Sequence, residues 1–544
     1  MSLKLHGIIV LAAAILLTSG VVRAADNPQQ DNKSRSITEI IDSGFGQTNK
    51  VLENIFFFDV SGGTLGTDRN GKPVSVPFVI FWLVVGAIYF SVRMGFIGLR
   101  VFAHAVQCLR GKYSKKGDAG EVTHFQALST ALSATVGLGN IAGVAIAIGL
   151  GGPGATFWMI VAGLLAMTLK FTEATAAQMY RETRPDGHVM GGAMEYLSRG
   201  FKEVGMGPLG KILAILFCIF CIGASLGGGN AFQISQSQLV VTQVISDLIP
   251  AISPATAYQY RWIYGVVLVL MVGVVIIGGL RRIAHTAEAI VPFMVLLYVA
   301  TCLWIIGMNF SAIPAAFALI FTEAFSLQAG IGGMIGVMIA GFRRAAFSNE
   351  AGIGSAAIAH ATAKTAYPIR QGIVASLEPF IDTVVICTMT ALVIVITSHY
   401  LGAPGLSAET KLLIEQGGTA AGAQVTAIAF KSQVTWFPYI LAVCVFLFAY
   451  STMISWSYYG ERCWSYIFGE KSAIIYKLIF LLFIMLGSLA SVGNILDFTD
   501  YLFFAMALPN LIALYLLQNK IARALKDYLA KLRSGELDRE VGRT

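Results

Sequence analysis

Two stretches of this sequence set asparagine beside paired glycines where the surroundings are otherwise apolar. "SATVGLGNIAGV" holds Asn140 directly after Gly137, Leu138 and Gly139, and "RRAAFSNEAGIG" holds Asn349 and Glu350 ahead of Gly352 and Gly354. Glycine permits backbone angles that stop a helix in mid-course. The ends so created direct N–H groups at a negative group and carbonyls at a positive one. A third stretch, "FAYST", spaces Phe448, Ser451 and Thr452 at i, i+3 and i+4, which puts two hydroxyls on one helix face. Neutral oxygens of this kind suit a hard monovalent cation. A compound bearing a carboxylate, accompanied by a small alkali cation, would satisfy both kinds of helix end.

The elements that must position these groups are membrane helices. The 544 residues are 56% hydrophobic and 12% charged, the balance of an all-α polytopic membrane protein. In hydrocarbon an unpaired backbone group costs several kcal/mol, so a helix break is tolerated only where it lines a cavity. Apolar runs predict eleven spans, near residues 77–104, 125–150, 154–180, 211–240, 261–279, 284–308, 330–362, 372–398, 434–460, 472–489 and 497–518. The first stands alone as an extra N-terminal span over 77–104. The others form two five-helix repeats, 125–308 and 330–518, each opened by a discontinuous helix. Five spans separate the starts of the two breaks, so these helices cross in opposite directions, the trace of a 5+5 inverted repeat with its site at the midplane.

Charge sets the expected topology. The net charge of +8 comes from lysine and arginine in short loops such as "RGKYSKK" and "LRRIAH" and in the tail, as the positive-inside rule requires, and forms no basic face for nucleic acid. Residues 1–24, with a basic start, an apolar run and a small-residue end at Ala24, read as a signal peptide. Residues 25–76 then form an extracytoplasmic N-terminal region, and 519–544 form a cytoplasmic tail with an amphipathic helix. The expected location is a bacterial cytoplasmic (inner) membrane, mature N-terminus outside and C-terminus cytoplasmic; the sequence does not specify an oligomeric state. The seven cysteines include Cys218 and Cys221 in "FCIFC", which read as packing residues because no second ligand pair accompanies them.

Charges within spans need a reason, since each costs at least about 2.5 kcal/mol at a helix centre. Glu350 lies inside the second break, where it is a candidate to hold a cation, meet a substrate amine or carry a proton. Arg343 and Arg344 lie on the outward side as candidates for a gate whose acidic partner the sequence leaves open. Lys170 and Glu173 read as an i, i+3 structural pair. Glu378 and Asp382, early in their expected span, are placed near the cytoplasmic surface.

The motifs carry a resemblance. "VGLGN" and "FSNEAGIG" look like the unwound first and sixth helices of LeuT-type neurotransmitter:sodium symporters, the handiest known case of helix ends facing a midplane site. More closely, "GNIAGVA", "GGPGATFWM", "AFSNEAG" and "AYSTMISWSYYGER" resemble the alanine or glycine:cation symporter family, which shares that LeuT-like fold, over roughly 76–518.

The resemblance implies roles. Leu138, Gly139 and Asn140 would meet a substrate carboxylate, with Thr135 adding a hydroxyl. Phe347, Ser348, Asn349 and Gly352 would line the opposite break, Gln233 would contact substrate and Trp456 would wall a pocket small enough to favour alanine or glycine. Sodium would be held by carbonyls of Ser133, Val136 and Phe448 and by the hydroxyls of Ser451 and Thr452. The function implied is secondary active import of a small neutral amino acid by sodium symport with alternating access, sodium being co-transported and no organic cofactor needed. The alternative is a proton-coupled symporter using Glu350; a membrane enzyme or a passive channel fits the motifs less well. No Walker motif or nucleophile–base pair points to an enzyme.

Overall fold

The computed structural model describes residues 37–67, 73–115, 117–183, 188–249, 251–326, 330–398, 422–489 and 493–542. The expected signal peptide lies outside the described residues. Helices dominate; the strands among the described residues are the two-residue antiparallel pair Glu182–Thr183 and Val189–Met190.

The first broken helix starts where its sequence says it should. Thr123 accepts the N–H of Gln126 while the Gln126 side chain accepts the N–H of Thr123, a reciprocal cap that launches His124–Thr135. The helix stops at Val136, passes through a wide π-type turn over Gly139–Gly143 and resumes as Val144–Gly151, bent by 52°. It ends at Gly152-Pro153-Gly154, where a Cβ on Gly154 would come within 2.4 Å of the Ala324 backbone. Only glycine allows that approach.

The second broken helix runs Gly330–Asn349, opens over Glu350–Gly354 and restarts as Ala356–His360. Val144–Gly151 packs on Gly330–Asn349, and His124–Thr135 packs on Ala356–His360. The halves of the two broken helices therefore pair end to end in opposite senses, as inverted repeats must. Ala155–Tyr180 forms the post between them, touching Phe78–Arg93, Gly330–Asn349 and Pro368–Ala375.

Two further helices widen into π-type turns, Gly227–Ala231 within Gly207–Leu248 and Phe380–Cys387 within Pro368–Thr397. Such turns concentrate at functional sites because they free backbone groups without ending the helix. Phe437–Phe468 packs on the first of these turns, and Ala507–Arg533 carries the final span straight into the tail.

Among the described residues seven helices are long and apolar enough to cross a membrane, eight if the bent pair counts as one span. Length and apolarity alone stop there. The expected eleven are reached only by adding, on position, the shorter Phe78–Arg93 and Arg261–Ile277 and the second broken helix. Cys218 and Cys221 are free and buried.

Candidate functional site

A small cavity of about 20 Å³ lies between the two breaks. Thr135 and Gly139 from the first, Phe347 and Glu350 from the second, and Gln233 and Trp456 from the helices alongside all line it, together with Phe503. Its volume is on the scale of roughly one water, so a larger guest has to part the walls. A cavity of about 30 Å³ behind the second break is walled by Leu83, Ala162, Leu169 and Phe342 and lacks this convergence of polar groups.

The polar groups are fixed in position. Gln233 Oε1 accepts the Leu138 N–H at 3.3 Å, and its Nε2 donates to the Gly228 carbonyl at 2.9 Å, so the first break is pinned to the π turn of a neighbouring helix. Glu350 has a left-handed backbone, φ 57°, which a non-glycine residue adopts only where its surroundings impose it. The Trp456 indole donates to one of its oxygens at 3.0 Å and the Ser355 hydroxyl to the other. Gly229 lies beneath Trp456, where a Cβ would come within 2.3 Å of the indole.

Beside the cavity, the residues expected to hold a cation come together. The Ser133 hydroxyl donates to the Ser451 carbonyl at 2.8 Å, and the Ser451 hydroxyl to the Phe448 carbonyl at 3.1 Å. Val136 ends the adjoining helix half, and the buried Thr452 hydroxyl has no hydrogen-bond partner among the described residues. A Cβ on Gly137 would reach 2.6 Å from that hydroxyl, so the first break passes directly over it.

The sequence placed Asp382 near a surface; the structure places it at the centre. Asp382 is 0% exposed. Its Oδ1 accepts the Asn140 amide at 2.6 Å, and its Oδ2 accepts the hydroxyls of Ser348 at 2.8 Å and Thr383 at 2.7 Å. The helix begins at Pro368, so Asp382 lies well inside it, and a proline at the first helical turn was the signal that could have located it. Glu378 is likewise fully buried, paired with Lys170 at 3.2 Å and accepting from His360 at 3.0 Å. Lys170 and Glu173 therefore serve separate helices: Glu173 accepts the Asn510 amide at 2.6 Å.

Two expected lining residues face elsewhere. Asn349 donates to Thr383 at 3.0 Å and accepts the Ala351 N–H, stapling the break from behind. Gly352, at φ +87°, abuts Leu83 and Leu169, and its carbonyl accepts from Asn510 at 2.8 Å. Arg343 and Arg344 acquire the partner the sequence left open, Asp500, at 2.9 and 3.4 Å. One turn deeper, the rings of Phe347 and Phe503 meet at 5.0 Å between this ion pair and the cavity.

Residues 67–541 match the model of the sodium:alanine symporter family. The chain belongs to that family. The sodium/alanine symporter AgcS of Methanococcus maripaludis is 39% identical over 453 residues, covering 83% of this chain and 94% of its own length. The probable sodium/glutamine symporter GlnT of Bacillus subtilis is 34% identical, covering 84% and 89%. Among solved structures, MhsT in complex with L-phenylalanine superposes with a TM-score of 0.51 at 14% identity, over 74% of this chain and 90% of that one. This sodium:alanine symporter family member thus has the LeuT-type fold and is a multi-pass transporter, not an enzyme. Cation-coupled amino acid transport is its activity class.

Proposed function

We propose that this protein imports a small neutral amino acid, alanine or glycine, with sodium across a bacterial cytoplasmic membrane by alternating access. The observation that carries this reading is a buried, partnerless hydroxyl, Thr452, in a cluster of neutral oxygens directly under the break that lines the cavity. Buried polar atoms ordinarily find partners, and a small cation coordinated by Ser133, Val136, Phe448, Ser451 and Thr452 would supply one. The substrate ammonium is met by Glu350, whose two neighbours both donate to it and so support a carboxylate there. The substrate carboxylate is met by N–H groups of the first break around Leu138 and Gly139.

Asn140, Ser348 and Thr383 gather on Asp382, and the Asn140 oxygen accepts the N–H of Gly137, which lies over Thr452, at 2.9 Å, so Asn140 links this cluster to the proposed cation site. The face with Arg343, Arg344 and Asp500 is the outer one and the tail is cytoplasmic, as the lysine- and arginine-rich loops favour. One charge entering at 100 mV contributes about 2.3 kcal/mol, and a tenfold sodium gradient adds about 1.4 kcal/mol. Together they support accumulation of a few hundredfold.

The test is uptake of radiolabelled alanine into proteoliposomes under an inward sodium gradient, against matched potassium or choline. Accumulation above the outside concentration, lost in Ser451→Ala with Thr452→Ala, is the expected result. Uptake that ignores sodium and follows a pH gradient would overturn the sodium reading and move coupling to Glu350.

A further inference from the structure

The family match begins at residue 67, yet among the described residues a structured segment precedes it: the helix Ile37–Phe56 and the loop that follows. The helix packs along Gly493–Ala505, which carries Asp500. Phe56 meets Phe220 edge-on at 5.4 Å. Phe57, 8% exposed, lies edge to face on Tyr501 at 4.7 Å and on Phe504 at 6.0 Å, and the Arg343 guanidinium sits 5.7 Å from its ring centre. Farther along, the Leu65 carbonyl presses on Gly332, where a Cβ would come within 2.0 Å of the oxygen. The segment therefore touches both helices that the Arg343–Asp500 pair joins: Gly330–Asn349 at Gly332 and Arg343, and Gly493–Ala505 at Tyr501 and Phe504.

Its loop is tied down at the other end. Phe78 donates its N–H to the Phe58 carbonyl and Val60 to the Val76 carbonyl, both at 3.0 Å, and the Phe58 ring stacks on Phe78 at 4.9 Å. Asp59 gathers the N–H groups of Ser61, Gly63 and Val76. A segment anchored at the start of Phe78–Arg93 and spread across two facing helices resists their separation.

We propose that residues 37–66 form a built-in clasp on the Arg343–Arg344–Asp500 gate, with Phe57 as its positioning residue. The ring covers the hydrophobic side of the gate helix while its face holds the Arg343 cation in line with Asp500. Parting the two helices has to withdraw Phe57 from Tyr501 and Arg343, so the clasp biases the gate toward closure. The inference rests on the reading of this ion pair as one gate of an alternating-access transporter.

The experiment uses full-length protein in lipid nanodiscs with spin labels at Ile331 on Gly330–Asn349 and at Asp497 on Gly493–Ala505, both exposed; the native cysteines are buried, which lets introduced ones react selectively. Distance distributions and alanine counterflow are measured for the parent, Phe57→Ala, Phe57→Leu and Asp500→Asn. Phe57→Ala is expected to raise the long-distance population about tenfold, the scale of a part-exposed cation–π contact together with the lost ring packing on Tyr501 and Phe504, and to speed counterflow. Phe57→Leu, which keeps apolar bulk without a π face, should fall between. A shift with Asp500→Asn but none with either Phe57 variant would overturn the clasp and leave the gate standing. No shift with Asp500→Asn would overturn the gate and the clasp together. Shifted distances with no alanine flux in any form would support the clasp while overturning the proposed cargo.

Discussion

Asn140 gives its amide to Asp382 at 2.6 Å, and Asp382 takes the Ser348 hydroxyl through its other oxygen, so one carboxylate joins the two helix breaks. Neither broken helix can shift without disturbing that carboxylate. Asp382→Asn keeps the shape but turns an amide N–H₂ toward groups that donate. Hydrogen bonds to a charged group contribute about 1.5–3 kcal/mol, so sodium half-saturation of uptake should rise by roughly 10- to 150-fold. A sodium titration that superposes on the parent would remove Asp382 from the coupling machinery.

Glu350→Gln tests the amine contact. The variant loses the countercharge for a substrate ammonium and sets an N–H₂ against the Trp456 or Ser355 donor. Substrate affinity, read by equilibrium binding of labelled alanine, should fall by about tenfold or more. Unchanged affinity would place the ammonium elsewhere.

At Gly137 a methyl group would lie 2.6 Å from the Thr452 hydroxyl. Gly137→Ala is therefore expected to close the proposed cation seat and abolish sodium-driven accumulation in a folded protein. Sodium-stimulated uptake at the parent level in this variant would argue against the placement.

Lys170 and Glu378, each 0% exposed, pair at 3.2 Å. Lys170→Met leaves a buried carboxylate without its cation, which costs about 3–5 kcal/mol. Adding Glu378→Gln removes the stranded charge while keeping an acceptor for His360. Thermal unfolding should show a large drop in the single variant and recovery of most of it in the double.

Asp59, on the loop outside the membrane, accepts the Ser61 hydroxyl and the N–H groups of Val76, Ser61 and Gly63, which hold its carboxyl well below the usual range. A carboxyl depressed by folding stabilises the loop above its ordinary value near 3.8 and loses that contribution only as pH falls through the lower folded value. Hydrogen-exchange protection factors over 57–67 and 73–77 should therefore be equal at pH 7 and pH 5 in the parent and lower at both in Asp59→Asn. A parent loop that loosens between those values would contradict the assignment.

The sequence by itself determined the membrane class, the two broken helices and the kinship between them. These follow from local chemistry: apolar runs, glycine pairs and capping residues such as Thr123 act within a few positions of where they stand. That Phe448, Ser451 and Thr452 share a face was legible for the same reason, by helical periodicity alone. Which charges meet was decided only by tertiary structure. Asp382 with Asn140, Arg343 with Asp500, and Lys170 with Glu378 are pairings across helices far apart in sequence, and no period connects them. The same holds for Asn349 and Gly352, which belong to the break in sequence yet turn away from the cavity, held there by Thr383 and by Asn510 from other helices. Phe57 shows the limit most clearly. Its neighbours in the chain mark it as an apolar residue near a membrane surface, and only the packing of Ile37–Phe56 on Gly493–Ala505 sets it against Arg343.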